Sequence, residues 1–284
     1  MSKTEAKPAE VKQEVAVQAA AQVPAELGDL NLQELEGDAG AGSQNITSTD
    51  IATPILSVLQ ANSPQCKRSD GKYIQGAAEG MIFNNVTNEV YDGDKGITVI
   101  PCYFEKVFIE WAPNRGGLVA IHDAQTELRN QVQLLDNGEG NGRTVPTLPN
   151  GNHLIETNQH YVLLVHESGF TEPAVIAMSS SALRSSRQWN SLMKKIQVAG
   201  AGGKPFNPAS YYAKYLLKTI ARQKDSFSWF SWAVENAGVV NAAQYASGKA
   251  FEKMVAEGTV KVKQDEMPDV TAPASSGKDE EIPY

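Results

Sequence analysis

Through the middle of the chain, apolar and polar residues alternate with a period near two, the spacing of half-buried strands. Met81 to Val86 and Glu89 to Tyr91 flank Thr87-Asn88 and predict a hairpin. After the turn Asp92-Gly93-Asp94-Lys95-Gly96, a long β-rich run extends from Ile97 to Trp111, bent near Pro101. Further strands are predicted at Leu118–His122, Tyr161–Glu167 and Pro173–Ser179. Tyr211–Arg222 and Phe227–Val234 read as a strand pair around residues 223–226. The first of these also carries Leu216, Leu217 and Ile220 at helical spacing, so strand and helix both suit it. Its tyrosines and its β-rich partner favour strand.

Three segments switch to helical signals. Thr47-Ser48-Thr49-Asp50 is a capping signal and predicts a short helix from Ile51 to Gln60, with Pro54 in its first turn. Trp189, Leu192, Met193 and Ile196 form one apolar stripe and predict a helix over 181–198, ended by Gly200-Ala201-Gly202-Gly203. A last helix is predicted over 241–257. The order strands, helix, strands predicts a mainly β (α+β) fold: an OB-like barrel with an inserted helix and a C-terminal helix.

Charge divides the chain further. Residues 1–44 carry three Lys against eight acids, and residues 264–284 carry one Lys against six. The body between them holds 21 Lys/Arg and 19 acids. Both ends are low in aromatics and rich in small or polar residues, so 1–44 reads as a disordered acidic tail and 264–284 as a flexible one. The predicted organisation is tail, OB-like body over 45–263, and tail. Residues 123–152 are polar and read as a mobile insertion within the body.

The charge of the body is not spread evenly. Between Glu172 and Asp225 there are 52 residues without an acid, and they hold nine bases: Arg184, Arg187, Lys194, Lys195, Lys204, Lys214, Lys218, Arg222 and Lys224. Trp189, Phe206, Tyr211, Tyr212 and Tyr215 are interleaved with them. Cations neutralise phosphates, and flat rings stack on unpaired bases, so this pattern suits a single-stranded nucleic acid. On a strand, Tyr212, Lys214, Leu216, Lys218, Ile220 and Arg222 share one face, and Tyr215 is a further stacking candidate. The competing reading is a solvated strand with Tyr212 half in the core.

A second candidate surface lies in Tyr103–Trp111. Tyr103, Glu105, Val107, Ile109 and Trp111 form one parity and read as core. Phe104, Lys106, Phe108 and Glu110 form the other, either as a stacking platform or as aromatics packed under the insertion. Arg115, in the turn Pro113–Gly117, either reaches a phosphate or is an ordinary turn residue. In Phe227-Ser228-Trp229-Phe230-Ser231-Trp232, Phe227 and Trp229 share one face and Phe230 and Trp232 the other; one pair is core, and the other either packs against the 241–257 helix, the favoured reading, or stacks bases.

No catalytic or metal constellation emerges. Gly200–Pro205 lacks the Lys-Ser/Thr ending of a phosphate loop, and Gly138, Gly140 and Gly142 have no strand–helix context. His153, His160 and His166 lack ligand spacing, and Ser179–Ser181 has no elbow glycines. Cys66 and Cys102 are too few for a disulfide framework and unpaired as zinc ligands. The expectation is a non-enzymatic protein without cofactor or metal, with no membrane span, acting in a cytoplasm, the host's if the gene is a phage's.

The last six residues are Asp279-Glu280-Glu281-Ile282-Pro283-Tyr284. An Ile and an aromatic can fill a small apolar pocket, the terminal carboxylate can pair with an Arg at its rim, and the acids suit a basic surround. This tip resembles that of the bacterial single-stranded DNA-binding protein family, which ends in acids followed by Ile-Pro-Phe. Asp279, Glu280, Glu281, Ile282 and Pro283 match, and Tyr284 replaces the Phe. The resemblance implies docking of replication or recombination proteins through the tip. The stretch from Lys218 to Trp232 resembles phage-encoded DNA-binding and replication proteins, which implies a phage-type single-stranded DNA-binding protein. The function expected is therefore sequence-independent single-stranded DNA binding in DNA replication or recombination. A strand-annealing recombination mediator and a virion or scaffold protein are the alternatives. The sequence leaves homo-oligomerisation open.

Overall fold

One strand organises the body. Residues Ile97–Trp111 form β4, fifteen residues long, with a register shift between Pro101 and Tyr103 that bends it where the sequence predicts. Bulges of this kind let one strand serve two differently oriented parts of a sheet. Along one edge, β4 pairs antiparallel with β8 (His153–Val165) over nearly its whole length. Its other edge is shared: β12 (Ala213–Lys224) takes residues 97–99, and β5 (Leu118–Asp123) takes residues 107–111.

In this computed structural model the described residues are 31–47, 50–113, 117–137, 143–224, 227–260 and 262. The chain divides into two units, residues 1–45 and 46–284. In the first, Leu32–Gly37 forms a short helix, α1, whose N-cap Asn31 accepts from the Gln33 amide. The second unit holds the sheet. Its remaining strands are β1 (Ile55–Val58), β2 (Ile82–Asn84), β3 (Val90–Tyr91), β6 (Gln133–Asp136), β7 (Thr144–Thr147), β9 (Thr171–Ser179) and β13 (Phe227–Val239). A small separate ribbon is formed by β10 (Val198–Ala199) and β11 (Pro205–Phe206).

The main path runs β13-β12-β4-β8-β9-β1-β2-β3, antiparallel except where β1 joins β9. Its two ends come together. The Gln60 amide bonds both the N–H and the carbonyl of Phe230, at 2.9 Å each. The Thr219 hydroxyl donates to the Gly80 carbonyl, and the Thr219 N–H donates to that of Gly93. Gly93 is required there, because a Cβ would lie 1.9 Å from the Gly80 oxygen. The curled sheet and its inserted helix make an α+β, OB-like barrel, as the sequence predicts.

The inserted helix is α2 (Leu183–Lys195), between β9 and β12. It turns Trp189 into the lumen, where Val99, Val162, Ile176, Met178, Tyr215, Leu217 and Trp232 surround it. The C-terminal helix, α3 (Ala242–Ala256), opens on a capping box between Asn241 and Gln244. It covers the other side of β4, β8 and β9, burying Phe251 with Ile100, Cys102, Leu163 and Val175.

Three expectations need correction. No helix spans Ile51–Gln60; the segment runs extended into β1. Thr47 does bond the Asp50 carboxylate, but the signal serves a turn. The Ile55 N–H is taken by Asn85, and the Pro54 carbonyl by Val175, so tertiary pairing overrides the local cap. The 123–152 insertion contains a second hairpin, β6–β7, whose Val145 packs on Val107, Ile109, Trp111 and Ile155. The aromatics of β13 do not form a layer against α3: Trp232 enters the lumen, and Phe230 lies against Gly80.

Candidate nucleic-acid interface

Residues 211–224 resolve as a strand entered through a short 3-10 turn, and burial follows its pleat. Ala213, Tyr215, Leu217 and Thr219 face the lumen and are buried. Lys214, Leu216, Lys218 and Ile220 are half-buried, and Arg222 and Lys224 are exposed. The even face carries the cations, as its spacing predicts. Tyr215 is withdrawn from the stacking candidates: it is fully buried, edge-on to Trp189, with ring centroids 5.8 Å apart. Tyr212 packs half-buried against the same core.

The register with β13 shows what the even face meets. Arg222 stands opposite Trp229, and Lys224 opposite Phe227. From the neighbouring hairpin, the Arg143 guanidinium sits 4.2 Å from the Phe227 ring centroid, a cation–π contact. Three cations and two half-buried aromatics thus gather at the tip of the β12–β13 hairpin. Arg143 is not among the sequence candidates, and Phe227 and Trp229 enter there only as one of two aromatic pairs, the non-core one of which could stack bases. A hairpin closing over 223–226 would set Arg222 across from Phe227; the pairing instead continues to Lys224 and Phe227, which shifts Trp229 opposite Arg222. Arg143 reaches the tip through a fold-level contact that no local pattern encodes.

The candidates differ in how free they are. Lys106 pairs with Glu156 at 2.7 Å, and Lys218 with Glu235 at 3.5 Å, so both arrive partly neutralised. Arg184, Arg187, Lys194, Lys195, Lys214, Arg222 and Lys224 have no ion pair among the described residues. On α2 this follows from the helical period: Ser185, Ser186 and Trp189 turn inward, leaving Arg184, Arg187, Lys194 and Lys195 on the outer surface.

On β4, Phe104 is 38% exposed, and its register partner is His160, with ring centroids 5.1 Å apart. Phe108 is half-buried between Glu156 and His122 in register. The insertion's Val145 packs on the opposite parity, so it does not bury these aromatics. Glu110 is buried at the end of this row. It accepts from Asn152 (2.6 Å) and Asn150 (3.2 Å) and pairs with His122 (2.8 Å). These bonds, Asn152's foremost, hold its carboxyl below the usual range.

A polar joint fixes α2 to the sheet beneath these surfaces. Ser186 Oγ lies 2.9 Å from Asn158 Nδ2 and 2.8 Å from His160 Nε2. The His160 ring stacks on Trp189 with centroids 4.4 Å apart. Burial pushes the His160 pKa down to about 3, so the imidazole is neutral. Asn158 donates to the Ser186 hydroxyl, which can either donate to Nε2 or accept from its N–H, so the bond suits both neutral tautomers. The joint orients the outer arginines and lysines of α2 through packing, not through contact with them.

Arg115 and the tip, Asp279–Tyr284, lie outside the described residues. Among the described residues, no group of three His, Cys, Asp or Glu side chains could hold a metal ion, and no helix is long and apolar enough to cross a membrane. No curated protein and no solved structure matches the chain significantly. A family model named for a phage protein does match, over residues 25–261, which include the strands and helices that carry this surface. The chain belongs to the Pam3 phage gp34-like protein family.

Proposed function

We propose that this protein binds single-stranded DNA without sequence preference, performs no chemistry on it, and serves phage DNA replication or recombination. The observation that carries the reading is the tip of the β12–β13 hairpin, where Arg222, Lys224 and Arg143 meet Phe227 and Trp229. Rings beside cations suit a flexible strand whose bases and phosphates are both accessible; a duplex keeps its bases stacked inside. The unpaired bases on the outer surface of α2 extend the cationic area. Lys106 and Lys218, already ion-paired, contribute less.

The test is a titration of labelled single- and double-stranded oligonucleotides at two salt concentrations, read by anisotropy and Trp quenching. Preference for the single strand, with affinity falling steeply as salt rises, is the expected result. No binding at low salt would overturn it. In this reading the tip Asp279–Tyr284 recruits partner proteins and its acids compete with DNA. Removing residues 264–284 should therefore tighten DNA binding while abolishing recruitment; weaker binding would show that the tail does not compete.

A second reading, strand annealing by assembled copies, draws on one feature. Among the described residues β5 pairs only with β4, and it exposes Leu118, Val119 and Ile121 on a strand with neither Lys nor Pro. Such an edge is open to pairing with another copy. Annealing of complementary oligonucleotides, with rings or filaments in electron micrographs, would select it.

A further inference from the structure

The β10–β11 ribbon lies outside the main sheet and is tied to the end of α2. Asn207, the residue after β11, donates its side-chain amide to the Met193 (3.0 Å), Lys194 (3.4 Å) and Ile196 (2.8 Å) carbonyls. That amide serves the carbonyls the helix leaves open at its C-terminus. It also fixes the ribbon beside Lys194 and Lys195. The ribbon's loop closes by bonds between Gly200 N and Lys204 O and between Gly203 N and Gly200 O.

Phe206 is 50% exposed at the base of this loop. A Cβ on residue 200 would stand 3.5 Å from its Cδ1, so Gly200 runs beside the ring and puts no side chain over it. Lys204 lies two residues before Phe206, and Lys194 and Lys195 end the helix that Asn207 holds; all three are exposed, and none is ion-paired among the described residues. An exposed ring is costly in water unless something covers it. The three lysines carry charge of one sign.

We propose that the ribbon is a second contact for single-stranded DNA, in which Phe206 stacks on one base while Lys194, Lys195 and Lys204 hold the flanking phosphates. The proposal rests on the single-strand reading above and adds a site at the far end of α2 from its first-turn Arg184. Charge complementarity selects the occupant: three cations suit a polyanion, and one flat ring suits one unpaired base. A lipid surface fits less well, because Ala201, Gly202 and Gly203 give the loop no further large apolar side chain to insert.

The experiment compares the full-length protein with Phe206→Ala, Phe206→Tyr and Lys204→Ala, using a labelled oligo-dT. Phe206→Ala should raise Kd by about 5- to 150-fold, the range of one lost stacking contact, and Phe206→Tyr should restore binding. Lys204→Ala should reduce the slope of log Kd against log salt by about one. Equal melting temperatures would show that the exposed substitutions leave the fold intact. A photo-crosslink from 5-iodouracil in the oligonucleotide should map to the peptide carrying Phe206. If the unaltered protein binds oligo-dT and Phe206→Ala binds equally well with the crosslink elsewhere, this site is refuted and the general reading stands. If the unaltered protein binds no oligonucleotide, both fall. Co-sedimentation with anionic lipid vesicles that is lost in Phe206→Ala would overturn the assignment in favour of a membrane contact.

Discussion

Acid should weaken this protein through a residue that never meets solvent. His160 is fully buried, with Ser186 on Nε2 and Trp189 against its ring face, and its pKa is pushed down from 6.5 to about 3. In the unfolded chain the same imidazole takes up a proton near its ordinary value. Between these two values the unfolded state binds more protons, so stability rises with pH. The contribution is fully present above about pH 6.5 and is lost as pH falls toward 3. From pH 7 to pH 5 the loss from this one group is about 2 kcal/mol. Phe at 160 would keep an aromatic ring against Trp189 and remove the titration, at a cost of about 1 kcal/mol for the hydrogen bond to Ser186. Urea denaturation of the unaltered protein and His160→Phe at both pH values isolates the term, since every other histidine is common to the two. The expected result is a pH-dependent difference of about 2 kcal/mol, with the variant the less sensitive. Equal losses in the two proteins would refute a neutral, buried His160.

Three further outcomes follow from the geometry. Gly93→Ala should destabilise the barrel by about 3 kcal/mol, because the new methyl meets the Gly80 carbonyl and Thr219; an unchanged thermal midpoint would contradict the closure described. Arg222→Ala should lower the salt slope of DNA binding by about one, whereas Lys218→Ala and Lys106→Ala should do less because Glu235 and Glu156 already neutralise them; equal effects in a salt titration would reject that distinction. Glu110→Gln should cost about 1–3 kcal/mol at neutral pH in chemical denaturation, and it should erase an acid-sensitive component. That component is present above the ordinary carboxylate range and lost as pH falls through the depressed folded value, so a variant with the same acid sensitivity would count against the clamp.

How far the sequence could be read depended on whether the deciding contact was local. The pleat of β12, the stripe of α2 and the bend of β4 are written in neighbouring residues, and each is found where the spacing puts it. The helix expected over Ile51–Gln60 failed for the opposite reason. Its partners, Asn85 and Val175, lie far along the chain and compete successfully with a nearby capping signal. For the candidate surface, alternation placed Lys214, Lys218 and Arg222 on one face but could not show that Lys218 is neutralised by Glu235. Tyr215 is lost as a stacking candidate because the odd residues of the strand turn into the lumen. Arg143 became visible only when the two hairpins met.

The seam of the barrel also sets a timetable. Gln60 waits for Phe230, 170 positions later, and Gly80 waits for Thr219, 139 positions later. Closing such large loops costs entropy before any bond is gained, which places the seam late in folding. During synthesis at about 5–20 residues per second, the first strands would wait roughly 10 to 30 s for their partners to emerge. For the earlier part of that interval β1 lacks β9 as well as the far hairpin, and its apolar residues have no lumen to fill. Shielding the nascent chain from aggregation while the second half is made should therefore raise the yield of folded protein.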